Sequence, residues 1–204
     1  QYSFQIRDAL ECLRLDLPVI FNCGGYERVE TLKALRGLVD VYMPDFKFPS
    51  REYSEKLCER GDYADAAIPA LFEMLSQVGT AVLDDDGLIK SGLIIRHLVL
   101  PGRTAMTKKI LDIIRENFPA DIMLSLLGQY FPAGRARGIK GLDRRVTKKE
   151  YARAAEYMAA IGFERGYTQE LSSADAAYVP AFDLSGVVKE RAPGGIDNGG
   201  NDGH

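Results

Sequence analysis

Strand and helix signals alternate along most of this 204-residue chain. Short apolar runs of strand character, such as residues 39–43 and 92–100, are separated by segments whose apolar residues recur three and four positions apart. Parallel strands need a long crossover connection, usually a helix, so this alternation is typical of a parallel sheet with helices packed outside it. The sequence therefore predicts an α/β domain, either a barrel or an open doubly wound sheet.

The number of strands narrows the choice between these architectures. Only about four major strands are visible, whereas a complete eight-stranded barrel occupies at least ~200 residues in eight strand–helix units. We therefore expect a partial barrel, or a barrel missing its beginning, that occupies residues 1–187. The remaining segment, residues 188–204, is rich in Gly, Asn and Asp and is predicted to be disordered.

Charge and cysteine content exclude several classes of protein. A formal net charge of -3 produces no general field that attracts nucleic acid or an anionic membrane, so we expect neither partner. The three cysteines, Cys12, Cys23 and Cys58, have no CxxC-type spacing, which favours reduced thiols over a disulfide framework or a zinc site. No apolar run approaches the ~18 residues of a membrane span, and we expect a cytoplasmic protein.

Each predicted strand ends in polar or aromatic residues. Asn22 follows the first strand, Asp45 and Lys47 the second, and Tyr130 the fourth, while the third carries Arg96. In parallel α/β folds the carboxyl ends of the strands converge on the active site, so these side chains could form one site. Cations suit a carboxylate and Asn or Asp suits hydroxyl or ammonium groups, which indicates a zwitterionic, nucleoside-like ligand. The alternative for Asp45 and Lys47 is an ordinary salt bridge at the rim.

Three other features have simpler explanations. His97 faces the opposite side of its strand from Arg96, and it fits a hydrogen-bonded structural role as well as a ligand role. The acidic run 83–87 lacks most ligands of a calcium loop and predicts a turn. The basic stretch 134–150 predicts a solvated loop followed by a helix, with Thr147 and Glu150 at capping-box spacing.

Longer stretches of the sequence resemble a known family. The segments PVIFNCGGYERVETLKALRGLVDVYMPDFKF, GLIIRHLVLPG, DIMLSLLGQYFPAG and RRVTKKEY are together similar to radical S-adenosylmethionine proteins like the pyruvate formate-lyase activating enzyme, and most closely to the PflX-type branch. The similarity extends in the same order from about residue 9 to residue 187. It implies a partial (βα)6 TIM-like barrel with missing N-terminal βα units and a [4Fe–4S] cluster that binds S-adenosylmethionine. The implied activity is that of an oxidoreductase, whose 5′-deoxyadenosyl radical abstracts hydrogen from a protein glycine or another substrate.

The resemblance also implies roles for individual residues at the end of the second strand. Asp45 and Lys47 match an Asp-x-Lys strand end, with Lys47 expected near the carboxylate of S-adenosylmethionine. Asp45, together with the Met43 carbonyl, is expected near the cofactor or a monovalent cation. Asn22 stands where the activating enzymes have an acidic residue, and it is counted among the cofactor-binding residues.

Two further segments are implied to line the cofactor. Arg96 and the backbone of Leu98 match the strand beside it, and Tyr130 falls where relatives have a histidine next to the adenine. The implied partners are a glycyl radical enzyme or another protein substrate, and flavodoxin or ferredoxin as electron donor.

The Cys-x3-Cys-x2-Cys motif that holds the cluster in this family is not in the sequence. None of the three cysteines replaces it at that spacing, so the resemblance places the cluster ligands upstream and makes this chain a C-terminal portion. On its own, this portion is expected not to cleave S-adenosylmethionine, and it is expected to self-associate through an unpaired strand edge.

Two alternative functions remain. A lysine at the end of a barrel strand is also the geometry of an aldolase-like enzyme, with Lys47 as the Schiff-base nucleophile. A noncatalytic module that binds a partner protein is the second alternative.

Overall fold

The computed structural model describes residues 3–12, 17–163 and 165–168. The predicted disordered segment 188–204, and the part of the predicted domain from 169 to 187, lie outside the described residues. The helices are α1 (Ser3–Cys12), α2 (Val29–Ala34), α3 (Arg51–Cys58), α4 (Tyr63–Val78), α5 (Thr104–Asn117) and α6 (Lys148–Ala160), with a 3-10 helix at Gly134–Gly138. The strands are β1 (Ile20–Cys23), β2 (Val41–Pro44), β3 (Val82–Leu83), β4 (Ile89–Leu98), β5 (Met123–Leu127) and β6 (Gly166–Thr168).

The strands form one six-stranded sheet, and the predicted α/β class with a parallel sheet is confirmed. Strands β1, β2, β4, β5 and β6 lie side by side in this order and pair in parallel, while β3 pairs antiparallel with β4. Each parallel strand is therefore the neighbour of the one before it along the chain. The residues TAVL at 80–83, before the Asp-Gly turn, predict a short strand, and β3 confirms it. Strand β6, which the sequence pattern does not reveal, is three residues long, too short to show a periodicity.

Strand β4 begins earlier than its apolar pattern predicts because a tight turn precedes it. The Asp84 carboxylate accepts hydrogen bonds from the backbone N–H groups of Asp86 at 3.1 Å and Leu88 at 2.8 Å. Gly87 supplies the positive φ of +80° that the turn needs. The predicted turn at residues 83–87 is confirmed, and it starts the strand at Ile89 rather than at Gly92.

One face of the sheet carries the main core. Its buried side chains come from β2, β4 and β5 and pack against apolar residues of α2, α4, α5 and α6. The largest fully buried side chains in this layer are Tyr42, Phe46, Leu32, Leu35, Leu71, Met74, Leu93, Ile95, Met106, Ile110, Leu111 and Ile114.

The opposite face carries a small second cluster near the amino ends of the strands. Ala81, Ile94 and Met123 are buried there, with Met43 and Leu83 packed beside them, and no helix of the described residues contributes to this cluster. Thr80 and Ala81, which lead into β3, pack closely on β4 because Gly92 has no side chain. A Cβ at Gly92 would lie 2.5 Å from the Thr80 carbonyl oxygen and 2.7 Å from the Ala81 nitrogen.

The predicted capping box at the start of α6 is confirmed. The Thr147 hydroxyl accepts the Glu150 N–H at 3.2 Å, and the Glu150 carboxylate accepts the Thr147 N–H at 2.9 Å. The same carboxylate accepts hydrogen bonds from the Arg144 guanidinium and from the Gly102 N–H in the β4–α5 turn. These contacts, the Arg144 bond foremost, hold the pKa of Glu150 well below its usual range. Glu150 therefore joins the loops after β4 and β5.

Gly92→Ala is expected to destabilise the chain by about 2 kcal/mol or more, because it adds a steric clash with Thr80 and Ala81 to the strain of a φ of +117°. Gly87→Ala is the matched control: its φ is +80°, but a Cβ there has no neighbour within 4 Å among the described residues. This variant is expected to lose about 1 kcal/mol. Urea denaturation measures both changes, and equal losses would contradict the close approach of Thr80 and Ala81 to Gly92.

Candidate functional site

Four of the residues predicted from the sequence, Asn22, Asp45, Lys47 and Arg96, meet at the carboxyl edge of the sheet, on the face opposite the main core. Asn22 is in register with Met43, and Asp45 is bridged to Arg96, which is in register with Ser125. Register neighbours in a parallel sheet point to the same face. Met43 joins the apolar cluster at the amino ends of the strands, and the charged residues lie one row further toward the carboxyl edge.

Arg96 is the centre of the polar contacts. Its Nη2 donates to the Asp45 carboxylate at 2.7 Å and to the Asn22 side-chain oxygen at 2.6 Å. The Arg96 and Asp45 side chains are 19% and 26% exposed, so the pair is partly removed from water. The structure thus ties the ends of β1, β2 and β4 together through one guanidinium.

Lys47 extends the cluster toward solvent. Its Nζ lies 3.6 Å from the second Asp45 oxygen, and the Lys47 side chain is 46% exposed. Gly24 lies beneath the ammonium, since a Cβ at this glycine would be 3.6 Å from Nζ. The rim salt bridge considered from the sequence is present, but Arg96 is the closer partner of Asp45. Lys47 is therefore the more accessible cation of the two.

One nitrogen of the Arg96 guanidinium, Nε, makes no hydrogen bond to the described residues. This nitrogen is buried. A buried donor without a partner costs about 1–3 kcal/mol, so such groups in proteins generally have an explanation. The arrangement places two cations, a carboxylate and an amide at the carboxyl edge of the sheet. These groups fit a small molecule that carries both signs of charge.

A residue that the sequence did not single out joins two of these loops. Tyr63, the first residue of α4, is buried, and its hydroxyl accepts the Lys47 N–H at 3.0 Å. The hydroxyl oxygen lies 2.8 Å from the Asp45 carbonyl oxygen and 3.0 Å from the Gly24 carbonyl oxygen, and it can donate its hydrogen to either. No local pattern could have indicated this role, because Tyr63 is 16 residues from Lys47 and 39 residues from Gly24.

His97 lies on the helix-covered face and has a structural role. Its Nδ1 is 2.8 Å from the Phe46 carbonyl oxygen and its Nε2 is 3.0 Å from the Thr107 hydroxyl. A carbonyl oxygen only accepts, so Nδ1 carries the hydrogen and Nε2 accepts from Thr107. Burial lowers the pKa of His97 to about 4. The imidazole is therefore neutral at physiological pH and supports the loop between Asp45 and Lys47.

The remaining predicted ligands lie apart from the charged cluster. Leu98, at the carboxyl end of β4, is partly buried and in register with Leu127. Tyr130 is buried in the main core, and its hydroxyl donates to the Leu142 carbonyl at 2.8 Å. Burial raises the pKa of this phenol. The hydroxyl of Tyr130 is thus committed to the loop before α6, and its role beside an adenine stays a prediction.

Metal-ligating residues are not clustered in the described part of the chain. No group of three or more His, Cys, Asp or Glu side chains there could hold a metal ion. Cys12 is exposed, whereas Cys23 and Cys58 are partly buried. Burial raises the pKa of the Cys23 thiol to about 11, which favours the thiol over the thiolate that a metal binds. The described cysteines therefore do not fit an iron–sulfur cluster.

Two surface grooves lie away from these strand ends. One of about 580 Å³ runs between α5 and α6 on the outer side of the helices and is lined by Lys108, Arg153 and Tyr157. Another of about 510 Å³ lies near the amino ends of β1, β2 and β4, beside Asp40 and Lys90. Neither groove includes a strand-end residue. Separately, none of the helices in the described ranges combines the length and apolar character that crossing a bilayer requires.

The chain is similar to a protein of unknown activity. It is 32% identical over 156 residues to MJ0674, an uncharacterized protein of Methanocaldococcus jannaschii. The aligned region is 76% of this chain and 42% of the relative, so the chain spans less than half the length of that protein. No protein-family profile matches the chain.

We expect His97 to make the stability of the protein fall as the pH decreases from about 6.5 toward 4. The folded state binds this proton less readily than the unfolded state, so unfolding takes up a proton in this range and acid favours it. At ~1.4 kcal/mol for each pKa unit, the total loss is on the order of 3 kcal/mol. Urea denaturation at a series of pH values measures the slope.

His97→Asn, which keeps a donor toward the Phe46 carbonyl, should be less stable at pH 7 but show a flatter profile between pH 7 and 5. His204→Asn, at a position outside the described residues, changes the other histidine of the chain. The prediction is wrong if His204→Asn flattens the profile or His97→Asn leaves it unchanged.

Proposed function

We propose that the chain binds S-adenosylmethionine at the carboxyl edge of its sheet and contributes this site to a radical S-adenosylmethionine enzyme similar to the pyruvate formate-lyase activating enzyme. The observation that carries the proposal is the convergence of Asn22, Asp45, Lys47 and Arg96 on one face. These are the residues to which the resemblance assigns cofactor contacts.

The fold supports a partial (βα)6 barrel. In a doubly wound sheet the strand order reverses and helices cover both faces, whereas a barrel keeps the strands in chain order with the helices on one side. Here the parallel strands follow chain order, and the helices of the main core pack on one face. In this proposal the opposite face is the barrel interior, with the cofactor at its carboxyl end.

The charges of the cluster match those of the ligand. S-Adenosylmethionine carries a carboxylate, an ammonium and a sulfonium group. Lys47 is the accessible cation and would bind the carboxylate, while the outer oxygen of Asp45 would accept from the ammonium or from a ribose hydroxyl. Arg96 would hold Asp45 in place, and its unpartnered Nε is a donor available to the bound molecule. Met43 would supply apolar surface below the charged row.

The described residues do not fit an iron–sulfur cluster. In the resembled family the cluster supplies the electron that cleaves S-adenosylmethionine and yields the 5′-deoxyadenosyl radical. For the complete protein we propose cluster ligands outside the described residues and a cytoplasmic location. Its proposed partners are flavodoxin or ferredoxin as donor and a glycyl radical enzyme or another protein as substrate. The cation site at Met43 and Asp45 belongs to the same proposal.

The geometry favours cofactor binding over the aldolase alternative. A Schiff-base lysine is usually activated by burial or by a neighbouring cation. Lys47 is 46% exposed, and it forms an ion pair with the Asp45 carboxylate. Borohydride treatment in the presence of pyruvate would add mass at Lys47 if this alternative were correct. The noncatalytic binding module predicts neither adduct formation nor affinity for S-adenosylmethionine.

Lys47→Met is expected to weaken the binding of S-adenosylmethionine by about 10-fold to 100-fold, because hydrogen bonds to charged groups contribute about 1.5–3 kcal/mol. Isothermal titration calorimetry on the purified chain measures the dissociation constants.

Lys90→Met is the matched control for this measurement. It removes an exposed lysine at the amino end of β4, away from the carboxyl edge, and should change the affinity less than about twofold. The proposal is wrong if the wild-type chain has no measurable affinity for S-adenosylmethionine, or if Lys47→Met binds as tightly as the wild type.

A further inference from the structure

Tyr63 occupies the junction between the loops that follow β1 and β2. Its hydroxyl contacts three backbone groups, the Lys47 N–H and the carbonyl oxygens of Asp45 and Gly24, all within 3.0 Å. Both hydrogen-bonding functions of the phenol are thus used on the backbone around Lys47. These backbone groups belong to no strand, so the phenol takes the place of the missing ladder bonds.

Aromatic packing fixes the phenol ring in this position. Tyr26 stacks on the Tyr63 ring with centroids 5.9 Å apart and an angle of 9°, and Phe48 meets it edge-on at 5.3 Å and 79°. Tyr26 in turn donates to the Asp62 carboxylate at 2.6 Å. The three rings come from the β1–α2 loop, the β2–α3 loop and the start of α4. The ring of Tyr63 can therefore hold its place when only its hydroxyl is removed.

Gly25 allows the two loops to approach each other. Its φ is +78°, and a Cβ there would clash with the Asp45 carbonyl oxygen and lie 3.1 Å from the Tyr63 hydroxyl. Burial raises the pKa of Tyr63 well above its usual range, so the hydroxyl keeps its hydrogen and continues to donate. The junction thus depends on a close backbone contact and on a protonated phenol.

We propose that Tyr63 is a positioning residue for Lys47: its hydroxyl fixes the Lys47 backbone beside Gly24 and so places the ammonium where it binds the carboxylate of S-adenosylmethionine. This inference rests on the proposed function and adds the residue that orients the lysine. Lys47 has a long, flexible side chain, and holding its backbone reduces the conformational freedom that is lost on binding. Tyr63 itself touches only the protein.

The first experiment tests the junction without any ligand. Tyr63→Phe removes the acceptor of the Lys47 N–H but keeps the ring, so hydrogen exchange of the Lys47 amide is expected to accelerate by about threefold to tenfold. Amide-resolved exchange by NMR measures the rate. Tyr42→Phe is the control, because it removes a buried hydroxyl bonded to Gln77 on the helix-covered face of β2. An unchanged rate at Lys47 in Tyr63→Phe overturns the proposal.

The second experiment separates positioning from a general structural effect. Tyr63→Phe is expected to weaken the binding of S-adenosylmethionine by about threefold to tenfold. Its affinity for decarboxylated S-adenosylmethionine, which keeps the ammonium, sulfonium and nucleoside, should change less than twofold. When Tyr63→Phe is added to Lys47→Met, the affinity for either ligand should not change further.

The outcomes distinguish this inference from the proposed function. Equal weakening for both ligands, or additivity with Lys47→Met, shows a purely structural tyrosine and overturns the inference while the cofactor site stands. If the wild-type chain binds neither ligand, the proposed function fails and the positioning role for the carboxylate fails with it. The exchange rate at Lys47 then still shows whether Tyr63 holds the loop.

Discussion

The ion pair between Asp45 and Arg96 is the interaction on which the arrangement of the site depends. It joins the ends of β2 and β4, and the same guanidinium reaches Asn22 at the end of β1. A partly buried pair gives little net stability, because desolvation offsets much of the attraction, but removal of one partner leaves a costly charge. Through the additional bond of Arg96 to Asn22, this pair fixes the relative position of three strand ends more than it stabilises the fold.

The two faces of the sheet divide structural and functional roles. The helix-covered face is apolar apart from groups such as His97, whose ring nitrogens are both hydrogen-bonded. The other face has an apolar layer around Ile94 and Met123 near the amino ends of the strands and a charged layer at the carboxyl ends. Adjacent residues on β4, Arg96 and His97, therefore have opposite roles because successive side chains of a strand point to opposite faces.

Several local features could be predicted because their causes are local. The capping box of Thr147 and Glu150 and the turn at Asp84 need only side-chain oxygens at short, fixed spacing from backbone N–H groups. The long strand β4 and the helices of the core follow from apolar periodicity. The short strand β6 could not be predicted, because pairing with β5 rather than its own sequence defines it.

The sequence by itself determined the α/β class, the strand ends as the place for polar chemistry, and the same-face placement of Asp45 and Lys47, since all three depend on short-range spacing. Only the tertiary structure decided which charges pair. Asn22 and Arg96 are 74 residues apart and meet because parallel strands bring their carboxyl ends to one edge. Tyr63 likewise reaches Gly24 and Lys47 through the packing of α4 against the sheet, a relation between distant segments that no local pattern encodes.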